Sequence, residues 1–183
     1  MKNKKLVLIL FVLLIVVVGS ASAVYKKISD NIGISNESVN DTKQIKAPDF
    51  TVFDGDMNKV SLYDFKDKPV VVNFWATWCG PCKVEMPYFE EAYKMYKDEI
   101  EFLMVNLTDG QRDTVEGVKE FIKKEGYSFP VLYDTEYDAA NTYGTYSIPV
   151  TVFIGSDGMV KNVHTGSLRR ELLMKNIENI MDK

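Results

Sequence analysis

The sequence predicts one α/β domain, in which a central mixed β-sheet is flanked by helices. Apolar stretches of strand length alternate with amphipathic stretches of helix length from residue 50 to the C-terminus. The most continuous of these strands, 69–75, is apolar on both faces, as expected for a strand covered on both sides of its sheet. The 137 residues from 47 to 183 suit a single domain of this class.

The elements around this central strand are predicted in order along the chain. Two short stretches, 50–53 and 59–62, flank the turn residues Asp54-Gly55-Asp56 and predict a β-hairpin. After the central strand, a helix follows Cys82. Its apolar residues recur every three or four positions, which predicts one buried face made of Met86, Phe89, Tyr93 and Tyr96.

Strands and helices also alternate through the second half of the chain. The predicted strands there lie at 100–107, 129–133, 151–154 and 159–164. The predicted helices lie at 114–125, at 138–143 and after residue 167. Gly126 is suited to end the first of these helices, because glycine adopts the left-handed backbone of a C-cap. Ser167 is suited to N-cap the last helix.

The only two cysteines of the chain, Cys79 and Cys82, lie where the central strand passes through a tight loop into a helix. At i and i+3 of a first helical turn they face the same side, close enough for a disulfide. Unpaired N–H groups and the helix dipole favour a thiolate there, and Pro81 suits the first turn. We therefore predict a redox pair in which Cys79 attacks and Cys82 resolves the mixed disulfide.

Other uses of two cysteines require residues that the sequence lacks. A structural zinc site needs about four ligands, whereas the chain holds two cysteines and one histidine, His164. Covalent haem attachment needs a histidine directly after the second cysteine, and position 83 is lysine. A structural disulfide closing so short a loop would remove little entropy from the unfolded chain. We therefore predict redox catalysis without a metal or a cofactor.

Three segments of the sequence carry a resemblance to a known family. Residues 73–87, which include Trp78-Cys79-Gly80-Pro81-Cys82, are similar to the TlpA/ResA branch of the thioredoxin superfamily, with an AhpC/TSA-redoxin-like domain. Residues 143–154 and the opening Ala47-Pro48-Asp49-Phe50 fit the same branch. The resemblance implies a thioredoxin fold with an N-terminal β-hairpin and a central helix–strand insertion at 114–133. It also implies a thiol–disulfide oxidoreductase that reduces protein disulfides outside the cytoplasm.

The resemblance assigns roles to residues near the cysteines. Pro149 matches the cis-proline of the superfamily, which faces the two cysteines and, with Ile148 before it, presents backbone to an extended substrate. Gly80 and Pro81 look like the intervening pair of the reducing members. Trp78 adjoins Cys79 and is expected to shield the site. The resemblance therefore predicts substrate contacts at Trp78, Gly80, Pro81, Ile148 and Pro149.

Glu85 is predicted to be a third catalytic residue. It lies three residues after Cys82, on the same helical face, and matches the active-site glutamate of the resembled branch. Thioredoxins carry a buried aspartate on the central strand where this chain has Asn73, which does not exchange a proton at useful pH. A partly desolvated carboxylate would have a raised pKa and could take the Cys82 proton. The alternative is an exposed helix glutamate.

Two other functions are carried as alternatives. A peroxiredoxin-like thiol peroxidase of this fold requires the pattern Pro-x-x-x-Thr-x-x-Cys, whereas Thr77 stands only two residues before Cys79 and no proline precedes it suitably. A copper-delivery module requires a wider cysteine spacing and a well-placed histidine. The sequence therefore favours the oxidoreductase over both.

Residues 1–25 form a separate N-terminal segment. After a lysine-rich start, residues 6–25 carry no charge and are long enough, at about 30 Å of helix, to span a bilayer. The lysines place the N-terminus in the cytoplasm, which predicts a single-pass cell-membrane anchor with the catalytic domain on the extracytoplasmic side. Ala21-Ser22-Ala23 resembles a cleavage site, so a removed signal peptide is the alternative. Polar residues 26–46 predict a linker to the domain at 47–183.

The charge and the redox setting of the chain limit its partners. A net charge of −4 argues against nucleic acid as a partner. Oxidising surroundings oppose free thiols, so the resemblance implies a CcdA/DsbD-like membrane electron donor. The expected client is a disulfide-bearing protein. Three kinds of client remain open: apocytochrome c, a spore-coat or cell-wall protein, and a general client. Apocytochrome c would mean a role in cytochrome c biogenesis. We expect a monomer.

Overall fold

The computed structural model describes residues 45–181 and contains seven strands and four α-helices within that range. The strands are β1 Thr51–Phe53, β2 Lys59–Ser61, β3 Val70–Trp75, β4 Glu101–Asn106, β5 Val131–Tyr133, β6 Val150–Ile154 and β7 Val160–Thr165. The helices are α1 Gly80–Tyr96, α2 Val115–Glu125, α3 Asp138–Tyr143 and α4 Arg170–Met181. A short 3-10 helix, Leu62–Phe65, follows β2.

The seven strands form one mixed sheet in the order β2-β1-β5-β4-β3-β6-β7. The inner strands β3, β4 and β5 are parallel, whereas β6 runs antiparallel to β3. Antiparallel hairpins, β1–β2 and β6–β7, form the two ends of the sheet. The predicted α/β class, the N-terminal hairpin and the helix–strand insertion formed by α2 and β5 are confirmed. Because parallel strands end at the same edge, the carboxyl ends of β3 and β4 lie side by side next to the cysteines.

The core lies on both faces of the sheet. All six residues of β3 are buried, and its five apolar residues are divided between two clusters on opposite faces of the sheet. Val71 and Trp75 belong to the cluster that includes Met86 and Phe89 of α1. Val72 and Phe74 belong to the cluster on the other face, with the β1 residue Val52. The double-sided burial predicted for the central strand is therefore confirmed.

The helix ends follow the capping residues of the sequence. The Thr114 hydroxyl accepts a hydrogen bond from the N–H of Gly117 at the start of α2, and Gly126 ends that helix with φ of 76°. In α1, Met86 and Phe89 are buried. Tyr93 and Tyr96 are half-buried and pack against the same cluster. The predicted apolar face of α1 and the predicted C-cap at Gly126 are confirmed.

The last helix begins later than the sequence predicts. The carbonyl of Arg169 accepts the first helical hydrogen bonds, and α4 starts at Arg170. Leu168 is buried, and its N–H donates to the Glu85 carboxylate at 2.7 Å. Because Leu168 enters the core and gives its N–H to a side chain of α1, the chain is not helical there. The predicted N-cap at Ser167 is therefore wrong.

The predicted anchor at 1–25 and most of the linker at 26–46 lie outside the described residues. Across residues 45–181, no helix combines the length and the apolar character needed to cross a bilayer. The last two linker residues, Ile45 and Lys46, already pair with the domain. The Ile45 carbonyl accepts from the Val160 N–H at 2.9 Å, and Lys46 forms an isolated β-bridge with Met159.

Candidate active site

The two cysteines lie at the N-terminus of α1 and are joined by a disulfide, with Cα atoms 5.3 Å apart. The predicted disulfide is confirmed. Cys79 is the N-cap residue, and its Sγ accepts a hydrogen bond from the N–H of Cys82 at 3.2 Å. In the reduced protein, a Cys79 thiolate at this position would receive the same N–H and the positive end of the helix dipole. These interactions favour Cys79 as the thiolate of the pair.

Access to the two sulfurs also differs. Cys79 lines a surface groove, called here the active-site groove, whose walls are 78–81 and 145–148, with Leu107 between them. Cys82 does not line this groove and has no exposed surface. Cys79, with 5% of its surface exposed, is therefore the more accessible of the two cysteines. The groove also contains Trp78, Gly80, Pro81 and Ile148, four of the five predicted substrate contacts.

The peptide bond between Ile148 and Pro149 is cis, as predicted. The Ile148 carbonyl oxygen lies 3.8 Å from the Sγ of Cys79. Pro149 itself is buried, and its carbonyl accepts a hydrogen bond from the N–H of Gly166 at 2.8 Å. Backbone just before the cis-proline therefore borders Cys79. Contact between this backbone and a client remains a prediction.

Glu85 is buried, with 1% of its surface exposed, so the alternative of an exposed helix glutamate is wrong. Its Oε1 accepts from the Asn73 side-chain amide at 2.9 Å, and its Oε2 accepts from the Leu168 N–H at 2.7 Å. The same Asn73 amide donates to the Thr151 hydroxyl at 3.0 Å. Two other parts of the chain, β3 and the segment before α4, thus hold this carboxyl group directly, and β6 supports it through Asn73.

Burial raises the pKa of Glu85 to about 7, because desolvation of the carboxylate outweighs the two hydrogen bonds that favour its charged form. A carboxyl group with this pKa can both donate and accept a proton near neutral pH. It lies one helical turn after the buried Cys82. Proton exchange between Glu85 and Cys82 remains a prediction.

Comparison with known proteins places this site in a family. The model of the AhpC/TSA family matches residues 44–163. The chain belongs to the AhpC/TSA family. It is 36% identical over 135 residues to the thiol–disulfide oxidoreductase ResA of Geobacillus thermodenitrificans, a match that covers 73% of this chain and 75% of the relative. It is 35% identical over 128 residues to ResA of Bacillus subtilis, covering 69% of each chain.

A solved structure supports the same placement. The exposed lipoprotein thioredoxin Etrx1 of Streptococcus pneumoniae is 28% identical, with a TM-score of 0.63 that covers 72% of this chain and 99% of the other. The resemblance to the TlpA/ResA branch and the thioredoxin fold are both confirmed. This AhpC/TSA member is a thiol–disulfide oxidoreductase.

Sequence reasoning missed a polar network beside the cysteines of this AhpC/TSA domain. Asp113 is buried and accepts hydrogen bonds from the Thr77 N–H at 2.8 Å, from the Thr77 hydroxyl and from the Asn106 amide at 2.8 Å. The network ties the loop after β4 to the residues that precede Cys79. Its only sequence signal is the position of this polar loop directly after a strand parallel to β3.

The remaining candidates of this AhpC/TSA domain lie away from the cysteines or serve in packing. Trp75 is fully buried and packs on Phe121, with ring centroids 5.9 Å apart, in agreement with the predicted packing role. His164 is half-buried on β7, opposite Thr151 in the strand register. Among residues 45–181 there is no group of three or more histidine, cysteine or acidic side chains placed to hold a metal ion.

Proposed function

We propose that this protein reduces disulfide bonds of client proteins outside the cytoplasm, by way of a mixed disulfide on Cys79. One observation carries the proposal. Cys79 faces an open groove bordered by the cis-proline loop, while Cys82 and Glu85 lie buried behind it. This arrangement separates an attacking sulfur from a resolving sulfur and supplies the second with a proton acceptor.

The first step uses the reduced dithiol. The Cys79 thiolate attacks one sulfur of the client disulfide, so that a bond from its Sγ to that sulfur forms and the client S–S bond breaks. The other client sulfur leaves as a thiolate and takes a proton. An extended client segment lying along 145–148 would bring its cysteine to Cys79.

The second step requires deprotonation of Cys82. Ionised Glu85 accepts the Cys82 proton, and the Cys82 thiolate then attacks the Sγ of Cys79. The mixed disulfide breaks, the second client sulfur leaves, and the Cys79–Cys82 disulfide seen in the structure results. The client has gained two electrons and the enzyme has lost two.

A new cycle needs an electron donor. Since oxidising surroundings do not keep thiols reduced, we propose a CcdA/DsbD-like membrane protein that passes two electrons to the Cys79–Cys82 disulfide. The same active-site groove would serve this donor, because only Cys79 is accessible there.

Within residues 45–181, the contacts of Thr77 do not favour the peroxidase alternative. The Thr77 hydroxyl donates its hydrogen to Asp113, so this hydroxyl is used to hold the loop before Cys79. The CxxC pair itself supplies both sulfurs needed for dithiol exchange.

The reduction potential of the Cys79–Cys82 pair tests the direction of the reaction. We expect a value nearer to that of thioredoxin, about −270 mV, than to that of the oxidant DsbA, about −120 mV. Equilibration of the protein in dithiothreitol and glutathione buffers, with alkylation of free thiols, measures it. A value near −120 mV would mean that the protein oxidises its clients.

Membrane fractionation tests the anchor. Because residues 6–25 carry no charge, we expect the protein expressed in its host to sediment with membranes at the mass of the full chain. A matched form lacking residues 1–25 should be soluble and should reduce disulfides in vitro at the same rate. Recovery of a soluble wild-type form beginning at Val24 would show a removed signal peptide.

A further inference from the structure

Trp78, which directly precedes Cys79, is partly exposed in the active-site groove, with 42% of its surface accessible. The guanidinium group of Arg112 lies over its indole ring, 3.8 Å from the ring centroid. This is the geometry of a cation–π contact. An arginine is thus placed beside the attacking cysteine on a domain whose chain is acidic overall.

Local hydrogen bonds hold Arg112 in this position. Its Nε donates to Asp109 Oδ2 at 3.0 Å, and Asp109 Oδ1 accepts the backbone N–H groups of Gln111, Arg112 and Asp113. These backbone hydrogen bonds, of which the one from Asp113 has the largest effect, hold the pKa of Asp109 well below its usual range. The loop is also tied to Thr77 through Asp113. Arg112 therefore sits on a fixed loop.

Arg112 keeps free hydrogen-bonding capacity. Its side chain is 63% exposed, and in the part of the chain that the structure describes its two terminal nitrogens have no hydrogen-bond partner. Asp109 binds Arg112 through Nε alone, so the two terminal nitrogens remain available to a second carboxylate. A guanidinium group presents its free N–H groups in the geometry that a carboxylate accepts.

The opposite wall of the groove carries an exposed aromatic side chain. Tyr146 also lines the groove and is 99% exposed, which leaves its ring without packing partners. Exposed aromatic side chains at a binding surface supply large apolar contacts at low cost in side-chain entropy. A client segment in the groove would therefore lie between Trp78 and Tyr146, with Arg112 at its edge.

We propose that Arg112, stacked on Trp78, selects client segments that carry an acidic side chain next to the cysteine under attack. This specificity rests on the proposed disulfide-reductase function. The client carboxylate would bind the free nitrogens of Arg112 while its cysteine meets Cys79. Arg112 is a specificity-determining residue and takes no part in the bond exchange.

Single-turnover kinetics with matched substrates test the proposal. The reduced full-length protein is mixed with cysteine peptides oxidised to disulfide-linked dimers, which differ only in having Asp, Asn or Lys beside the cysteine. Hydroxyethyl disulfide, small and uncharged, serves as a substrate that does not reach Arg112. The rate constant for each is obtained by quenching and counting free thiols.

For the wild-type protein we expect the Asp peptide to react about 1.5- to 5-fold faster than the Asn peptide, the range of an exposed ion pair. The preference should shrink as salt is added. Arg112→Gln should remove it, when each peptide rate is expressed relative to the rate of the same variant with hydroxyethyl disulfide. Arg112→Lys should keep part of it, because the charge remains while the planar stacking is lost. Lys175→Gln, the same charge change at an exposed position of α4, should keep all of it.

Two results would overturn the proposal while the reductase function stands. One is a wild-type protein that reduces hydroxyethyl disulfide but shows no preference among the peptides. The other is an Arg112→Gln protein whose rates fall equally with every substrate, since this would mean that Arg112 only supports the fold of the site. A wild-type protein that reduces none of the substrates would overturn the proposed function itself.

Discussion

Cys79→Ser is expected to abolish disulfide reduction, and Cys82→Ser to leave clients covalently attached to Cys79. Only Cys79 lines the active-site groove, so its loss removes the sulfur that can reach a client. Without Cys82 the mixed disulfide forms and is not resolved. Non-reducing gel electrophoresis of extracts expressing each variant, followed by identification of the attached proteins, measures both effects.

The two variants control for each other. The chain contains only two cysteines, so any protein attached to a single-cysteine variant must be bound through the one that remains. The Cys79→Ser protein should collect no clients, because Cys82 is fully buried. Clients attached to Cys82 in that protein, with none on Cys79 in the other, would reverse the assignment of nucleophile and resolving thiol.

Glu85→Gln is expected to slow turnover by about 10²- to 10⁴-fold, the usual contribution of general acid–base assistance. Glutamine fits the same space but exchanges no proton. The wild-type rate should rise with pH through about 7 as the carboxyl group ionises, and the variant should lose this step. Turnover with a disulfide peptide, measured across this pH range, provides the readout. An unchanged rate and pH profile would remove Glu85 from the reaction.

A matched control is available on the same helix. Glu90 is also buried, and it accepts hydrogen bonds from the N–H and hydroxyl groups of Ser128. Burial alone would raise the pKa of Glu90, but hydrogen bonds from Lys94 and Ser128 hold it below its ordinary value. Glu90→Gln should weaken the fold without changing the pH profile of turnover. A similar loss of rate in both variants would point to helix damage.

The difference in stability between the wild type and Glu85→Gln should depend on pH in a defined direction. The pKa of Glu85 is about 7 in the folded protein, whereas an ordinary glutamate, as in the unfolded chain, has a pKa of 4.5. The folded state therefore binds this proton more tightly than the unfolded state. The resulting stabilisation, about 3 kcal/mol, is complete below about pH 4.5 and is lost as the pH rises through about 7. Glutamine has no such dependence.

Glutamine at position 85 also lowers the stability of the fold by an amount that does not depend on pH. Both Glu85 oxygens accept N–H groups, whereas the amide nitrogen of glutamine cannot accept, so one buried donor loses its partner at about 1–3 kcal/mol. The variant should be less stable than wild type at about pH 5, and the difference should close or reverse by about pH 8. Urea unfolding at both pH values measures it, and a difference independent of pH would contradict the raised pKa.

Local sequence signals predicted most of the architecture. The apolar run of β3, the C-cap Gly126 of α2 and the spacing of Cys79 and Cys82 act over a few positions, so their consequences can be worked out without a fold. The cis bond before Pro149 was predicted from family resemblance alone, because most X–Pro bonds are trans. The helix start at Ser167 was predicted from the same kind of local signal and was wrong, because Leu168 is drawn into the core and bonded to α1.

By itself the sequence determined the redox pair, because two cysteines at i and i+3 of a helix start need only one turn of backbone to meet. Its surroundings were decided by the tertiary structure. The N–H that Glu85 accepts comes from Leu168, 83 positions along the chain, and Asp113 reaches Thr77 across 36 positions. The burial of Glu85 and its raised pKa depend on the residues of the sheet and of the segment before α4 that pack against α1. Arg112 contacts Trp78 because the parallel strands β3 and β4 end at the same edge of the sheet. No local period encodes such contacts, since they exist only once the chain has folded.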